Sequence, residues 1–335
     1  MVAKPLQIGM ISFAHLHAEG YAHAIQANPN TVLVGIADDV QTRANQKAER
    51  FGVTSYSTPE DLLSDKEVSA VVICSENAKH RHFVELAARA GKHVLCEKPL
   101  ATTEDDALAM ISCCKQAGVQ LMTAFPCRYS PIAQRLKGYL DSGRAGAILA
   151  FRGTNRGSNP GGWFCDKSLS GGGATIDHTV HVTDLMRWLL NDDVVEVYAE
   201  ISNGIEHQEF DDVSFISMKF KSGVFGTLDA SWSRPSGFPT WGDVTLEVVT
   251  ENGTISMDMF SQNLIRYSAK SEPAIWLNWG GNMDYYMVDA FATALLTGTT
   301  VPITGHDGLQ AARVALAAYA SAQTYQTINL HTPAH

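Results

Sequence analysis

Residues 6–39 read LQIGMISFAHLHAEGYAHAIQANPNTVLVGIADD: an apolar run, a helix-length segment, a turn, and a second apolar run that closes on two aspartates. Short apolar runs separated by helix-length segments are the pattern of a βαβ unit, whose parallel strands are apolar on both faces because helices cover both. Outward from this stretch the pattern continues through VQTRANQKAERFG (40–52), AVVICS (70–75), AKHRHFVELAARAG (78–91), KHVLCE (92–97), TEDDALAMISCCKQAG (103–118) and VQLMTAF (119–125). The reading is a doubly wound α/β domain over residues 1–127.

Beyond Tyr129 the rhythm changes. A helix is expected over 131–140, a Gly-rich loop over 153–173 and a second helix over 174–190. Period-2 alternation then dominates in VVEVYAEIS (194–202), DVSFISMKF (212–220), GVFGTLDASW (223–232), DVTLEVVT (243–250) and GTISMDMF (253–260), with turns at KSG and ENG. Consecutive strands joined by tight Gly turns imply a large open sheet, antiparallel or mixed, so residues 128–335 read as an α+β domain. An Ala-rich helix over 307–324 can pack back on the N-terminal domain. No internal repeat or low-complexity tract suggests a boundary other than the one near 125–130.

Composition narrows the partners. A formal charge of −10 in 335 residues argues against a nucleic-acid groove or an anionic membrane surface, both of which need a basic patch. A small neutral ligand fits better. The six cysteines show no C-x-x-C spacing and several lie in apolar runs, so they read as reduced core thiols in a cytoplasmic protein. The N-terminus is too poor in basic and apolar residues for a signal peptide, and no run approaches the ~18 apolar residues of a spanning helix.

A strand entering a helix directly, as IGMIS does, is where such domains bind a dinucleotide's pyrophosphate, at free N–H groups favoured by the helix dipole. The G-x-G-x-x-G glycines are absent: Ser12, Phe13, Ala14, His15, Leu16 and His17 stand there. Ser12 and Ala14 are small enough for close backbone approach. His15 and His17 lie at the same rim, where they contact a cofactor or substrate, or else merely cap the helix and face solvent. Asp38, at the end of the second run, is placed to bond the adenosine ribose and repel a 2′-phosphate, which favours NAD; one of Asp38 and Asp39 also caps the following helix. Arg43 nearby can accommodate that phosphate, so NADP stays possible.

The run KHVLC leads into Glu97-Lys98-Pro99, placing Lys98 at the carboxyl end of a parallel strand, where open α/β sheets bind ligands. About eighty residues on, Gly171-Gly172-Gly173 opens a helix in which Asp177, His181 and Asp184 recur at spacings of four and three, on one face. Polar groups on a face flanked by Leu185, Trp188 and Leu189 suit a ligand site. Together with CSENAKH (74–80), which contains Ser75, Asn77 and His80, with RYSP (128–131), and with GHDGLQAARV (305–314), these motifs make the chain resemble the glucose-fructose oxidoreductase / inositol dehydrogenase / MocA family over essentially its whole length.

That resemblance implies an NAD(P)-dependent dehydrogenase or reductase acting on a sugar, sugar derivative or cyclitol. It makes Lys98, Asp177 and His181 the catalytic group, puts Glu97, Asn77 and His80 with the cofactor, and assigns substrate contacts and a homodimer or homotetramer interface to the C-terminal sheet. Arg128, Trp163, Asp166, Lys167 and His178 are candidate substrate contacts. His178, His181 and Asp184 also have helical spacing compatible with a metal, but the family's chemistry needs none and no metal is expected. Two other classes stay open: a redox-neutral glycoside hydrolase or lyase that uses NAD transiently, and a non-catalytic sugar sensor, which would be expected to lose Lys98 or His181.

Overall fold

A computed structural model describes residues 4–261, 263–266, 275–278 and 280–330. The chain divides into two compact units, one of residues 1–126 and 283–309, the other of residues 127–282 and 310–335. The segment Met283–Leu309, which the sequence reading places with the second half, clusters with the first.

In the first unit the expected alternation is realised as β1 (Leu6–Ile11), α1 (Ala18–Ala27), β2 (Thr31–Ala37), α2 (Gln41–Phe51), β3 (Thr54–Ser55), α3 (Pro59–Ser64), β4 (Ala70–Ile73), α4 (His80–Arg89), β5 (His93–Cys96), α5 (Glu104–Ala117) and β6 (Leu121–Thr123). All six strands run parallel in the order β3-β2-β1-β4-β5-β6. The order reverses between β1 and β4, and the carboxyl ends at such a reversal are where ligands bind. Local chemistry starts and stops the helices. Thr103 accepts the Asp106 N–H at the start of α5, three acidic residues follow in its first turn, and Gly118 closes it at φ 68°. The core includes Ile11, Leu62, Val71, Ile73, Phe83, Val84, Val94, Met110 and Leu121, from strands and from the helices that cover them.

The second unit holds α6 (Pro131–Asp141), β7 (Ile148–Thr154), the one-turn α7 (Lys167–Ser170), α8 (Ala174–Leu190), β8 (Val194–Ser202), β9 (Val213–Phe220), β10 (Phe225–Asp229), β11 (Thr245–Thr250), β12 (Gly253–Asp258), and the paired β13 (Asn263–Arg266) and β14 (Ile275–Asn278). Back in the first unit, α9 (Met283–Thr297) packs on α1 and β1. The Ala-rich helix is α10 (Gly305–Thr324), within which the division between the units falls, and the short β15 (Ile328–Asn329) pairs with β8. The large sheet has seven strands in the order β12-β11-β7-β10-β9-β8-β15, antiparallel throughout except for the parallel pair β7–β10. It is therefore mixed, and β7, unanticipated from the sequence, lies near its centre.

One face of this sheet is covered by α8. A Cβ at Gly153 of β7 would meet Val182 at 2.7 Å and Met186 at 3.0 Å, so the absent side chain lets the helix lie close. The other face presents Glu200, Phe215, Asp229 and Thr154 across neighbouring strands, with Tyr198, Ser217, Thr227 and Arg152 in the next row. Among the described residues no helix is long and apolar enough to cross a membrane.

Candidate active site

In the first unit, the turn from β1 into α1 is held by its own polar side chains. Ser12 sits at φ 69°, in the left-handed region that costs a non-glycine residue on the order of 1 kcal/mol. Its N–H bonds Ala37 O (2.8 Å), while its Oγ accepts the Ala14 N–H (3.2 Å) and an Arg43 N–H (3.3 Å). The Phe13 N–H bonds Asp38 Oδ2 (2.8 Å), the His15 N–H bonds Cys74 O (2.9 Å), and the His17 N–H bonds His15 Nδ1 (3.2 Å). Helix α1 starts after His17 with no side-chain cap.

Asp38, expected at a ribose, is first of all the support of this turn. Its buried carboxylate accepts from Phe13 N, Val40 N, and Arg43 Nε and Nη2, all at 2.7–2.9 Å. Four donors fill a carboxylate's acceptor sites, so a ribose hydroxyl reaches Asp38 only by displacing one of them. Asp39, more exposed, pairs with Lys79 at 2.5 Å and Arg43 at 3.3 Å.

Glu97, fully buried, joins the turn to the lysine. Its Oε2 accepts the Lys98 N–H at 2.7 Å, and its Oε1 lies 2.8 Å from His17 Nδ1 and 3.6 Å from His15 Nδ1. Burial alone would raise its pKa, but the adjacent imidazoles outweigh it and hold the carboxyl well below the usual carboxylate range. Burial likewise opposes protonation of His17, yet the charge and hydrogen bond of Glu97 prevail and its pKa is raised. Tyr21 Oη lies 3.4 Å from His17 Nδ1. Asp284 of α9 faces Gly20, where a Cβ would come within 2.6 Å of its Oδ2. The ligand-type atoms of His15, His17 and Glu97 all lie within 4.8 Å of one another. The hydrogen bonds already made by both Nδ1 atoms account for that convergence without an ion.

Lys98 and Pro99 are joined by a cis peptide, and the Lys98 side chain is buried. Ser75 and Asn77 are buried after β4. His80, expected near a ribose, is fully buried with Nδ1 at 3.0 Å from Pro99 O and Nε2 at 3.3 Å from Ser75 O. It braces α4 against the Glu97-Lys98-Pro99 segment, and both ring nitrogens face backbone carbonyls. Burial is the largest influence on its pKa, which is lowered, keeping the ring neutral.

In the second unit, α8 carries Asp177 and His181 one turn apart, 4% and 7% exposed. Asp177 Oδ2 accepts the Trp232 indole N–H at 3.2 Å and lies 3.3 Å from His178 Nε2. His178 is enclosed edge-on against Trp232 and Trp241, with ring centroids at 6.4 and 5.1 Å. Two expected substrate contacts also have local duties. Arg128, buried, forms a bidentate pair with Asp184 at 2.5 and 2.7 Å. Asp166 caps the short α7 by accepting the Ser168 N–H at 2.9 Å. Trp163 stacks on Phe164 at 3.9 Å.

One residue the sequence did not single out organises this half. Asp211 accepts the Gly173 N–H (2.9 Å), the Thr175 N–H (2.8 Å) and the Tyr319 hydroxyl (2.8 Å), so it caps α8 from a loop between β8 and β9. Gly173 is obligatory there, since a Cβ would sit 2.0 Å from Asp211 O. The only sequence hint was an acidic pair, DD, ahead of a strand.

Comparison with known proteins shows the family. Residues 6–125 match the oxidoreductase family with an NAD-binding Rossmann fold, and residues 133–256 match the GFO/IDH/MocA C-terminal domain. The chain is 29% identical to 1,5-anhydro-D-fructose reductase of Ensifer adhaerens, over 97% of this chain and 98% of that protein. It is 30% identical to inositol 2-dehydrogenase 2 of Saccharopolyspora erythraea, over 96% and 94%. A levoglucosan dehydrogenase solved with NADH and levoglucosan is 25% identical, with a TM-score of 0.86 over 97% of this chain and 99% of the other.

Proposed function

The chain belongs to the GFO/IDH/MocA family of oxidoreductases, and from that premise we propose that it transfers hydride between NAD and a hydroxyl-bearing carbon of a sugar, sugar derivative or cyclitol, with Lys98, Asp177 and His181 as the catalytic group. The observation that carries the residue assignment is α8, which presents a buried acid and a buried imidazole one turn apart, with the acid fixed by Trp232. In the first unit, small residues at the β1–α1 turn and a helix entered without a side-chain cap suit a pyrophosphate.

Bound NAD supplies the hydride acceptor or donor. His181 takes the hydroxyl proton during oxidation, since an imidazole exchanges protons in the neutral range. Lys98 donates a hydrogen bond to the same oxygen and stabilises developing alkoxide charge. Asp177, held by Trp232, fixes a neighbouring hydroxyl. Accordingly His181→Ala and Lys98→Ala should each lower kcat at least ~100-fold with NAD affinity little changed, and the double variant should be scarcely worse than the worse single one. The decisive experiment is a polyol and sugar panel monitored for NADH absorbance. A substrate consumed without net NADH would favour the redox-neutral hydrolase or lyase instead, and near wild-type turnover in His181→Ala would move the acid-base role to Asp177.

We further propose that the outer face of the seven-stranded sheet meets a second copy of the chain. Phe215 and Phe225 on that face are 56% and 61% exposed, unusual for aromatic rings outside an interface. A double substitution to lysine should lower the solution mass measured by light scattering; an unchanged mass would overturn this assignment. A cytoplasmic location fits the six cysteines, all of them free thiols.

A further inference from the structure

The 3-10 turn Pro126–Tyr129 makes two adjacent contacts on α8. Arg128 clamps Asp184 through both carboxylate oxygens. Cys127 places its Sγ 3.8 Å from His181 Nδ1, with both residues buried. Asp184 lies three residues beyond His181, so the two contacts fix one helix face at neighbouring points. The ion pair holds the helix, and the thiol meets the ring.

We propose that Cys127 is the positioning residue of the acid-base histidine: its sulfur holds His181 Nδ1, sets the ring's orientation, and leaves Nε2 as the nitrogen that exchanges the substrate proton. This rests on the catalytic role proposed for His181. A neutral imidazole has one N–H and one lone pair, and the group that meets one nitrogen decides which nitrogen carries the proton. With Nδ1–H donating to sulfur, the Nε2 lone pair receives the hydroxyl proton on oxidation. The imidazolium then keeps Nδ1–H on Cys127, and no proton passes to the thiol. On reduction Nε2 returns the proton to the forming hydroxyl.

Sulfur is a weak, uncharged acceptor, so it orients the ring without the compensating negative charge that a carboxylate would provide. Two consequences separate positioning from packing. Cys127→Ala should lower kcat about tenfold while the substrate KM and NAD affinity stay unchanged, and Cys127→Ser, which keeps a polar partner, should recover turnover to within about threefold of wild type. Cys127→Asp should move the low-pH limb of the kcat/KM profile upward by about one unit or more, because an adjacent negative charge favours the imidazolium.

The tests are steady-state kinetics of the three variants beside His181→Ala, and ¹⁵N-imidazole NMR of the wild type, with the His181 resonance assigned by its loss in His181→Ala. Expected are the kinetic order above and a His181 proton on Nδ1. The proposal is overturned by wild-type kcat and pH limb in Cys127→Ala, by equal impairment of the alanine and serine variants, or by a proton on Nε2. An inactive His181→Ala with a normal Cys127→Ala removes only the positioning role. Full turnover in His181→Ala removes both it and the catalytic assignment beneath it.

Discussion

Helices α1 and α8 each begin without a side-chain cap from their own first residue, yet their first turns are treated in opposite ways. At α8 a buried carboxylate, Asp211, accepts two backbone N–H groups at 2.8–2.9 Å and is itself held by Tyr319. Charge-assisted bonds of this kind are strong and they answer the helix dipole permanently. At α1 the Phe13 and His15 N–H groups of the entering turn are held by Asp38 Oδ2 (2.8 Å) and Cys74 O (2.9 Å), but the Ala14 and His17 N–H groups meet only uncharged side-chain acceptors at longer range, Ser12 Oγ and His15 Nδ1, each at 3.2 Å. Acceptors of that kind are readily exchanged for pyrophosphate oxygens. One helix is sealed to serve as a rigid carrier of Asp177 and His181; the other is closed only provisionally and keeps its affinity for an anion.

The contrast is most severely tested at Asp211. Asp211→Ala would leave the Thr175 N–H and the Tyr319 hydroxyl without the acceptor they use in the fold, and the Gly173 N–H with only Tyr319 Oη at 3.2 Å, at a cost of about 3 kcal/mol. Urea unfolding would measure it, and a loss under about 1 kcal/mol would mean that α8 does not depend on this seal. Next in size is Asp38→Ser. It removes four bonds from the turn's support and releases Arg43, so the ratio of kcat/KM for NADP to that for NAD should rise about tenfold or more. An unchanged ratio would show that Asp38 does not set cofactor choice.

The third prediction concerns pH. His17 has a folded pKa raised above 6.5, so its pairing with Glu97 stabilises fully below that value and is lost as pH rises through the folded one. Glu97 is depressed below 4.5, so its contribution is present above that value and is lost only as pH falls through its folded pKa. The stability advantage of wild type over Glu97→Gln should therefore be greatest between 4.5 and 6.5 and shrink on the alkaline side. Unfolding at pH about 5.5 and about 9 compares the two; an advantage independent of pH would remove the charge of His17 from the account. Smallest is His15→Ala, which deletes a provisional acceptor. NAD affinity by calorimetry should stay within about tenfold, roughly 1.4 kcal/mol, whereas complete loss of binding would make His15 an anchor.

Much of this contrast was invisible in the sequence because its partners are remote. Asp38 and Phe13 are 25 residues apart, His17 and Glu97 80, Asp211 and Tyr319 108. Periodicity says which face of an element is apolar, not which distant group meets a polar atom. Strand β7 escaped notice for a related reason. ILAFRGT has no clean alternation, since it lies mid-sheet and needs Gly153 where α8 comes close. Helix α9 escaped because MDYYMVDAFATALLT carries apolar residues all round and shows no helical stripe.

What the sequence determined by itself was whatever short-range physics dictates. Apolar runs broken by helix-length segments prescribed the parallel sheet, Gly turns and alternation prescribed a second sheet, antiparallel or mixed, and spacings of three and four put Asp177, His181 and Asp184 on one helix face. The tertiary structure alone decided the duties of individual polar groups. Asp38 and His80 brace loops, Arg128 clamps Asp184, Asp211 seals α8 and Cys127 meets His181. A buried polar atom must find a partner or bear a desolvation cost of roughly 1–3 kcal/mol, and which partner it finds is fixed only when distant segments are packed.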